Sequence, residues 1–275
     1  MTIEIIQSYR LFEDRKTDIH FRAPTVADYR SFVGLSVYLE EMVATRYLNQ
    51  LQVPESYPDG KINDSTNWTA EDRRTALYWI YINTRDNTVI NQSYECSFCQ
   101  KEHGRQMDLC DLIPLLVESE HSMTEKLDIP NIKPGYIQPL RGNAVEYLEQ
   151  LRNTRDELEE DSPEWCVAHA DLRIYECAWA LKFKDDDKSL SAEDQAENRF
   201  EYLLTLDAEK AFKKVAATVR KALSAMRHGL MSEYLDGEYK LVTPPHQCPN
   251  IEEGDEPVET VLLLPFRYNN FLPSL

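Results

Sequence analysis

YECSFCQKEHGRQMDLC, residues 94–110, carries three of the chain's six cysteines. How it is read decides how distant parts of the chain meet. Before the turn, TVINQSYEC is β-prone. After it, RQMDLCDL alternates apolar and polar residues, and SFCQKEHG between them reverses the chain. The pattern predicts a β-hairpin with Cys96-x-x-Cys99 at its tip. A CxxC turn between two strands aims both sulfurs inward and supplies half of a tetrahedral zinc site, with Zn–S of about 2.3 Å. A redox CxxC opens a helix after a strand instead, and QKEHGRQ has no helical pattern.

Geometry then sorts the other candidate ligands. Cys110 falls some five residues past the turn, roughly 16 Å along a strand, and reads as packing. Cys166 and Cys177 stand in one predicted helix, roughly 16 Å apart along its axis, too far to share an ion. With Ala170, Ile174 and Leu181 they form an apolar stripe, so core packing is expected of both. His169 has no close partner in the sequence. That leaves His246-Gln-Cys248, in the proline-flanked loop PPHQCPN ahead of a last β-like run. The expected ligand set is Cys96, Cys99, His246 and Cys248. His103 is the local alternative, as CxxC-x3-H. A zinc ligated only by protein has no open position for water, so the expected role is structural, tying two sequence-distant loops together.

The chain has 275 residues, 42% hydrophobic and 28% charged, enough for one large domain or two modest ones. Its formal net charge of −18 repels nucleic-acid phosphates and anionic headgroups, which argues against nucleic-acid and membrane partners. No apolar run reaches the roughly 20 residues that span a bilayer. MTIEIIQSYRLFEDRK lacks the pattern of a signal peptide. Cysteines without a disulfide framework predict synthesis in a reducing cytosol. Nucleophile elbow, HExxH, Walker A, GxGxxG and EF-hand loop are all absent, so no catalytic residue is assigned and a non-enzymatic protein is expected.

Along the chain, TDIHFRAP (17–24) reads as a strand and T-V-A-D (25–28) as a capping box. Phe32, Leu35, Leu39, Met42, Val43 and Leu48 recur at helical spacing to about residue 50. Thr69-Ala-Glu-Asp72 opens a second helix, and LDIPNIKPGYIQP (127–139) is a proline-punctuated connector. Helices follow over 142–235: NAVEYLEQLRNTRDELEE, a second started by Ser162-Pro163, and a third from Ser191 with a long apolar face ending near Gly229. KDDDK (184–188) reads as a solvated loop, and the basic stretch 210–229 as the wet face of an amphipathic helix. The fold class is therefore α+β: a zinc-ribbon-like CxxC hairpin and a short β C-terminus combined with a helical bundle insertion. The expected boundaries are 1–126, 127–235 and 236–275, the last packing back on the first.

Three segments together carry a family resemblance: IHFRAPTVADYRSF, YECSFCQKEHGRQMDLCDL, and the close CPN…VETVLLLPFRYNNFLPSL. The chain resembles the baseplate hub and tail-assembly proteins of T-even-like contractile-tailed bacteriophages. There, a CxxC segment followed by an alternating strand and a terminal Pro–Phe pattern recurs. Here the CxxC and the terminal strand are split, and a single His-x-Cys precedes the latter. The resemblance covers about the first 115 and the last 45 residues. It implies a virion component, a baseplate hub subunit made in the host cytoplasm and bound to other tail proteins in a hetero-oligomeric assembly. Phe266, Tyr268, Phe271 and Leu272 are its expected partner anchors. The alternatives are a tail-assembly chaperone absent from the mature virion and, in a different class, a zinc-ribbon regulatory protein that binds nucleic acid.

Overall fold

The computed structural model describes residues 4–32, 37–96, 98–118, 122–235, 238–250 and 259–265. Near the N-terminus β1 (Tyr9–Arg10) and β2 (Asp18–Ile19) pair antiparallel. In α1 (Val26–Phe32) the expected capping box forms. Thr25 Oγ1 accepts from the Asp28 N–H, and Asp28 Oδ2 accepts from the Thr25 N–H at 2.7 Å. Among the described residues, the apolar run expected to continue to about residue 50 forms two α-helices, α1 and α2 (Glu40–Leu51), and Leu35 lies outside the described residues. Val43, Ala44, Tyr47, Leu48 and Leu51 are buried, whereas Met42, an expected core position, is 43% exposed. Thr69 caps α3 (Ala70–Thr84), its side chain accepting from the Asp72 N–H. Ala76, Leu77, Tyr78 and Ile80 of that helix are fully buried, and the larger ones contribute about 1.5–3 kcal/mol each relative to exposure.

The hairpin follows as β3 (Val89–Glu95) and β4 (Glu102–Asp108), in continuous register from Val89 opposite Asp108 to Glu95 opposite Glu102. Beyond it are β5 (Glu125–Leu127), β6 (Gly135–Ile137), α4 (Gly142–Asp156), α5 (Pro163–Ala180), β7 (Leu181–Phe183), α6 (Ala192–Leu204) and α7 (Lys213–Ala225). The stretch expected to be a plain connector supplies β6 and the end of β5, which join β7 in a sheet of order β5-β6-β7. Strands of three residues are too short to show a two-residue period. The long third helix is broken at Thr205-Leu206-Asp207, where Asp207 caps a single wide turn before α7.

Two other expectations give way. In the α5 stripe Cys177 is buried, but Cys166 is exposed, because the first half of that helix stands away from its neighbours. The KDDDK loop is not solvated throughout. Asp186 turns in to meet buried Arg199 at 2.7 Å, with side-chain exposures of 10% and 6%.

The C-terminal part comprises β8 (Ser232–Leu235), β9 (Glu238–Val242), β10 (His246–Gln247), β11 (Glu259–Thr260) and β12 (Leu263–Pro265). β12, β9 and β8 form one sheet in that order, and β10 pairs with β11. The architecture is mixed, helices with several small antiparallel sheets, consistent with α+β. One apolar core gathers Tyr9, Phe21, Tyr47, Trp68, Leu77 and Leu109 together with Leu241 and Leu264 from the C-terminal strands. A second lies among α5, α6, α7 and the β5-β6-β7 sheet. The C-terminal strands thus come back to the region that holds the hairpin. Phe266, Tyr268, Phe271 and Leu272 lie outside the described residues.

Candidate metal centre

The hairpin tip between β3 and β4 is closed by its own backbone. The Cys96 N–H donates to Lys101 O at 2.9 Å, and the Gln100 N–H to Cys96 O at 2.7 Å. Gln100 adopts the left-handed conformation, φ 55°, which curls the chain tightly behind Cys99. Because β4 begins at Glu102, His103 stands in the second pair from the turn, opposite Tyr94, and its ring reaches back to the loop. His103 Nε2 lies 3.0 Å from Cys99 Sγ.

The remaining corner comes from far along the chain. β10 carries the 244–250 loop to the hairpin, where Cys248 Sγ lies 3.5 Å from Cys99 Sγ and 3.8 Å from His103 Nε2. The ligand atoms of Cys96, Cys99, His103 and Cys248 all fall within 4.8 Å of one another. Both Cys96 and Cys248 are buried and all three cysteines are unpaired thiols. Three soft sulfurs and one imidazole at tetrahedral-edge distances form a Cys3His set that could hold a metal ion.

The local field favours thiolates over part of the cluster. Backbone N–H groups of Cys99 and Phe98 pull the Cys96 thiol below its ordinary range. Burial pushes the Cys248 thiol up, partly offset by the Asn250 N–H, which donates to its sulfur at 3.4 Å. Asn250 Nδ2 also approaches Cys99 Sγ at 3.8 Å. Such N–H···S contacts are the second layer that orients and charges a metal-binding thiolate.

Of the expected ligands, Cys96, Cys99 and Cys248 converge, and His246 does not join them. His103 takes the fourth corner. His246 is committed elsewhere, to Arg105 and Tyr94 of the hairpin. Its Nδ1 accepts from Arg105 Nη1, and its ring stands edge-on to Tyr94 with centroids 4.9 Å apart. Burial and then the Arg105 charge hold this imidazole below its ordinary pKa. The signal for His103 was local: a histidine four residues past Cys99 returns to the tip only if β4 starts at once. Cys110 lies against Thr88 Oγ1 at 3.5 Å, away from the cluster.

Fold and site together define an α+β protein whose hairpin and C-terminal loop meet at a Cys3His cluster. No protein-family model, no curated protein and no solved structure matches the chain.

Proposed function

We propose that the protein is a non-enzymatic structural component of a contractile phage tail, a baseplate hub subunit, whose Cys3His cluster holds a structural zinc ion. The observation that carries the metal half is the convergence of Cys96, Cys99, His103 and Cys248. Four protein ligands fill a tetrahedron and leave no open position, so the ion would serve as a clamp between hairpin and C-terminal loop. Zinc fits this donor set better than calcium or magnesium, which take oxygen ligands.

The phage half rests on the resemblance in IHFRAPTVADYRSF, in the CxxC segment and in the chain's end. Within the first of these, Arg22 forms a two-pronged ion pair with Asp28, at 2.6 and 2.8 Å, that ties the segment before α1 to its capping box. The strongly acidic surface suits docking on other proteins rather than on nucleic acid. Two measurements test the reading. Elemental analysis of protein purified without chelators should return about one zinc per chain, as a four-ligand site requires, and a zinc-free protein rejects the clamp. Mass spectrometry should find the chain in purified particles. Detection in lysates and tail intermediates alone would make it an assembly chaperone, and absence from all three would reject the phage reading.

A further inference from the structure

A cavity of about 660 Å³ opens where α3, α5 and the segment from α7 to β8 meet. That size falls within the roughly 300–1,000 Å³ of small-molecule sites. It lies on the seam of the two apolar cores: Leu230 in its wall belongs to the first, Cys177 and Val219 to the second. Phe212, Val219, Leu223, Leu230 and Met231 give it an apolar wall. Val219 and Leu230 are buried, whereas Phe212 and Leu223 are half-buried and Met231 is 36% exposed. Apolar side chains left partly open in a concave site, beside a few charged groups, are the usual make-up of a ligand pocket.

The charge around the opening runs against the rest of the chain. The whole sequence has 48 Asp and Glu to 30 Lys and Arg, yet four arginines and two glutamates line this cavity. Arg74 is 4% exposed and meets Glu71 at 3.4 Å, so that pair is neutral within itself. Arg173 of α5, Arg220 of α7 and Arg227 just after α7 are exposed and enter no ion pair among the described residues. The other glutamate, Glu176, is half-buried, and burial pushes its carboxyl up against the pull of Arg152 and Arg173. Three like charges at one opening repel one another, and a single carboxylate cannot pair with all of them. A bound anion relieves that repulsion, and a guanidinium fork matches the two oxygens of a carboxylate.

We propose that this cavity binds a long-chain aliphatic carboxylate, its chain against Phe212, Val219, Leu223 and Met231 and its head group at Arg173, Arg220 and Arg227. A neutral alcohol would cover the wall but leave the arginines unanswered, and an inorganic anion would leave the wall wet. The site depends on neither the metal nor the phage reading. Equilibrium dialysis of the full chain against radiolabelled decanoate, and separately decan-1-ol, each below its aggregation limit, tests it. Saturable one-site binding of decanoate is expected, with decanol roughly tenfold weaker or more. The double variant Arg220→Met, Arg227→Met, at exposed positions, should weaken decanoate by roughly tenfold or more, as loss of charge-assisted bonds does, without weakening decanol. Ala216→Trp, which fills the cavity from α7, should abolish binding of both. No saturable uptake of decanoate, equal affinity for decanol, or decanoate binding that the arginine variant leaves unchanged overturns the proposal.

Discussion

Cys99 Sγ lies 3.5 Å from Cys248 Sγ across 149 residues of chain. That is far longer than a disulfide of about 2.05 Å. It is close to the edge of about 3.8 Å that two thiolates would span on one tetrahedral zinc. The spacing makes the two cysteines corners of one ligand set, so each should be needed. Cys248→Ser and His103→Ala should each strip most of the metal, whereas His246→Ala should leave it at the parent level. Metal content per chain after gel filtration decides between the two histidines. Occupancy should fall as pH falls, because thiolates and imidazole must lose protons to bind.

The hairpin was legible because its strands are long enough to alternate and its turn carries a paired-cysteine signature. Cys248 was legible because a soft ligand in a proline-flanked loop has little else to do. The fourth corner was not, since His103 and His246 differ only in where β4 begins. One residue of register decides whether His103 faces Tyr94 beside the loop or lies within it. The β5-β6-β7 sheet escaped for a related reason, being three strands of three residues whose pairing is set by tertiary contact. Asp186 looked solvated because charge runs usually are, and only the fold brings Arg199 to it.

Asp72 is a fully buried acceptor beside the first core. It accepts from Tyr9 OH at 2.8 Å, Phe12 N at 2.8 Å, Glu13 N at 3.2 Å and Thr69 Oγ1 at 3.1 Å. Asp72→Asn keeps the shape but turns an NH2 toward donors, so it should cost about 3–5 kcal/mol in denaturant unfolding. His228 sharpens the test. Burial lowers its pKa, but Asp72 at 3.5 Å more than offsets this, and the net shift is upward. A raised histidine stabilises below its ordinary value and loses that contribution as pH climbs past the folded one. The cost of Asp72→Asn should therefore be larger near about pH 6 than near about pH 8.

Glu149 on α4 accepts the Glu41 N–H at the start of α2, at 2.9 and 3.1 Å. Burial, helped by the nearby Glu41 and Glu40 charges, pushes its carboxyl up from 4.5 to about 7. Between those values the folded state holds a proton that the unfolded chain has released. Stability should consequently decline as pH rises through that window and then level off. Glu149→Gln keeps one acceptor oxygen and removes the charge. It should flatten this dependence and raise stability above neutral pH by about 1–3 kcal/mol, read from urea midpoints across pH.

Gly229 gives the sharpest backbone test. It follows α7 with φ +67°, exchanges both backbone hydrogen bonds with Val117 at 2.8 and 2.9 Å, and delivers Leu230 N to Thr75 Oγ1 at 2.9 Å. A Cβ there would land on Thr75 Oγ1 itself. Gly60 has nearly the same φ, +66°, but open space around it. Gly60→Ala should therefore cost only the left-handed conformational penalty, about 1 kcal/mol. Gly229→Ala should cost that and the clash, about 3 kcal/mol or more. Thr75→Ala removes the clashing hydroxyl along with the acceptor for Leu230. The double variant Gly229→Ala, Thr75→Ala should then be less destabilised than the two single losses added, and additive losses would place the strain elsewhere.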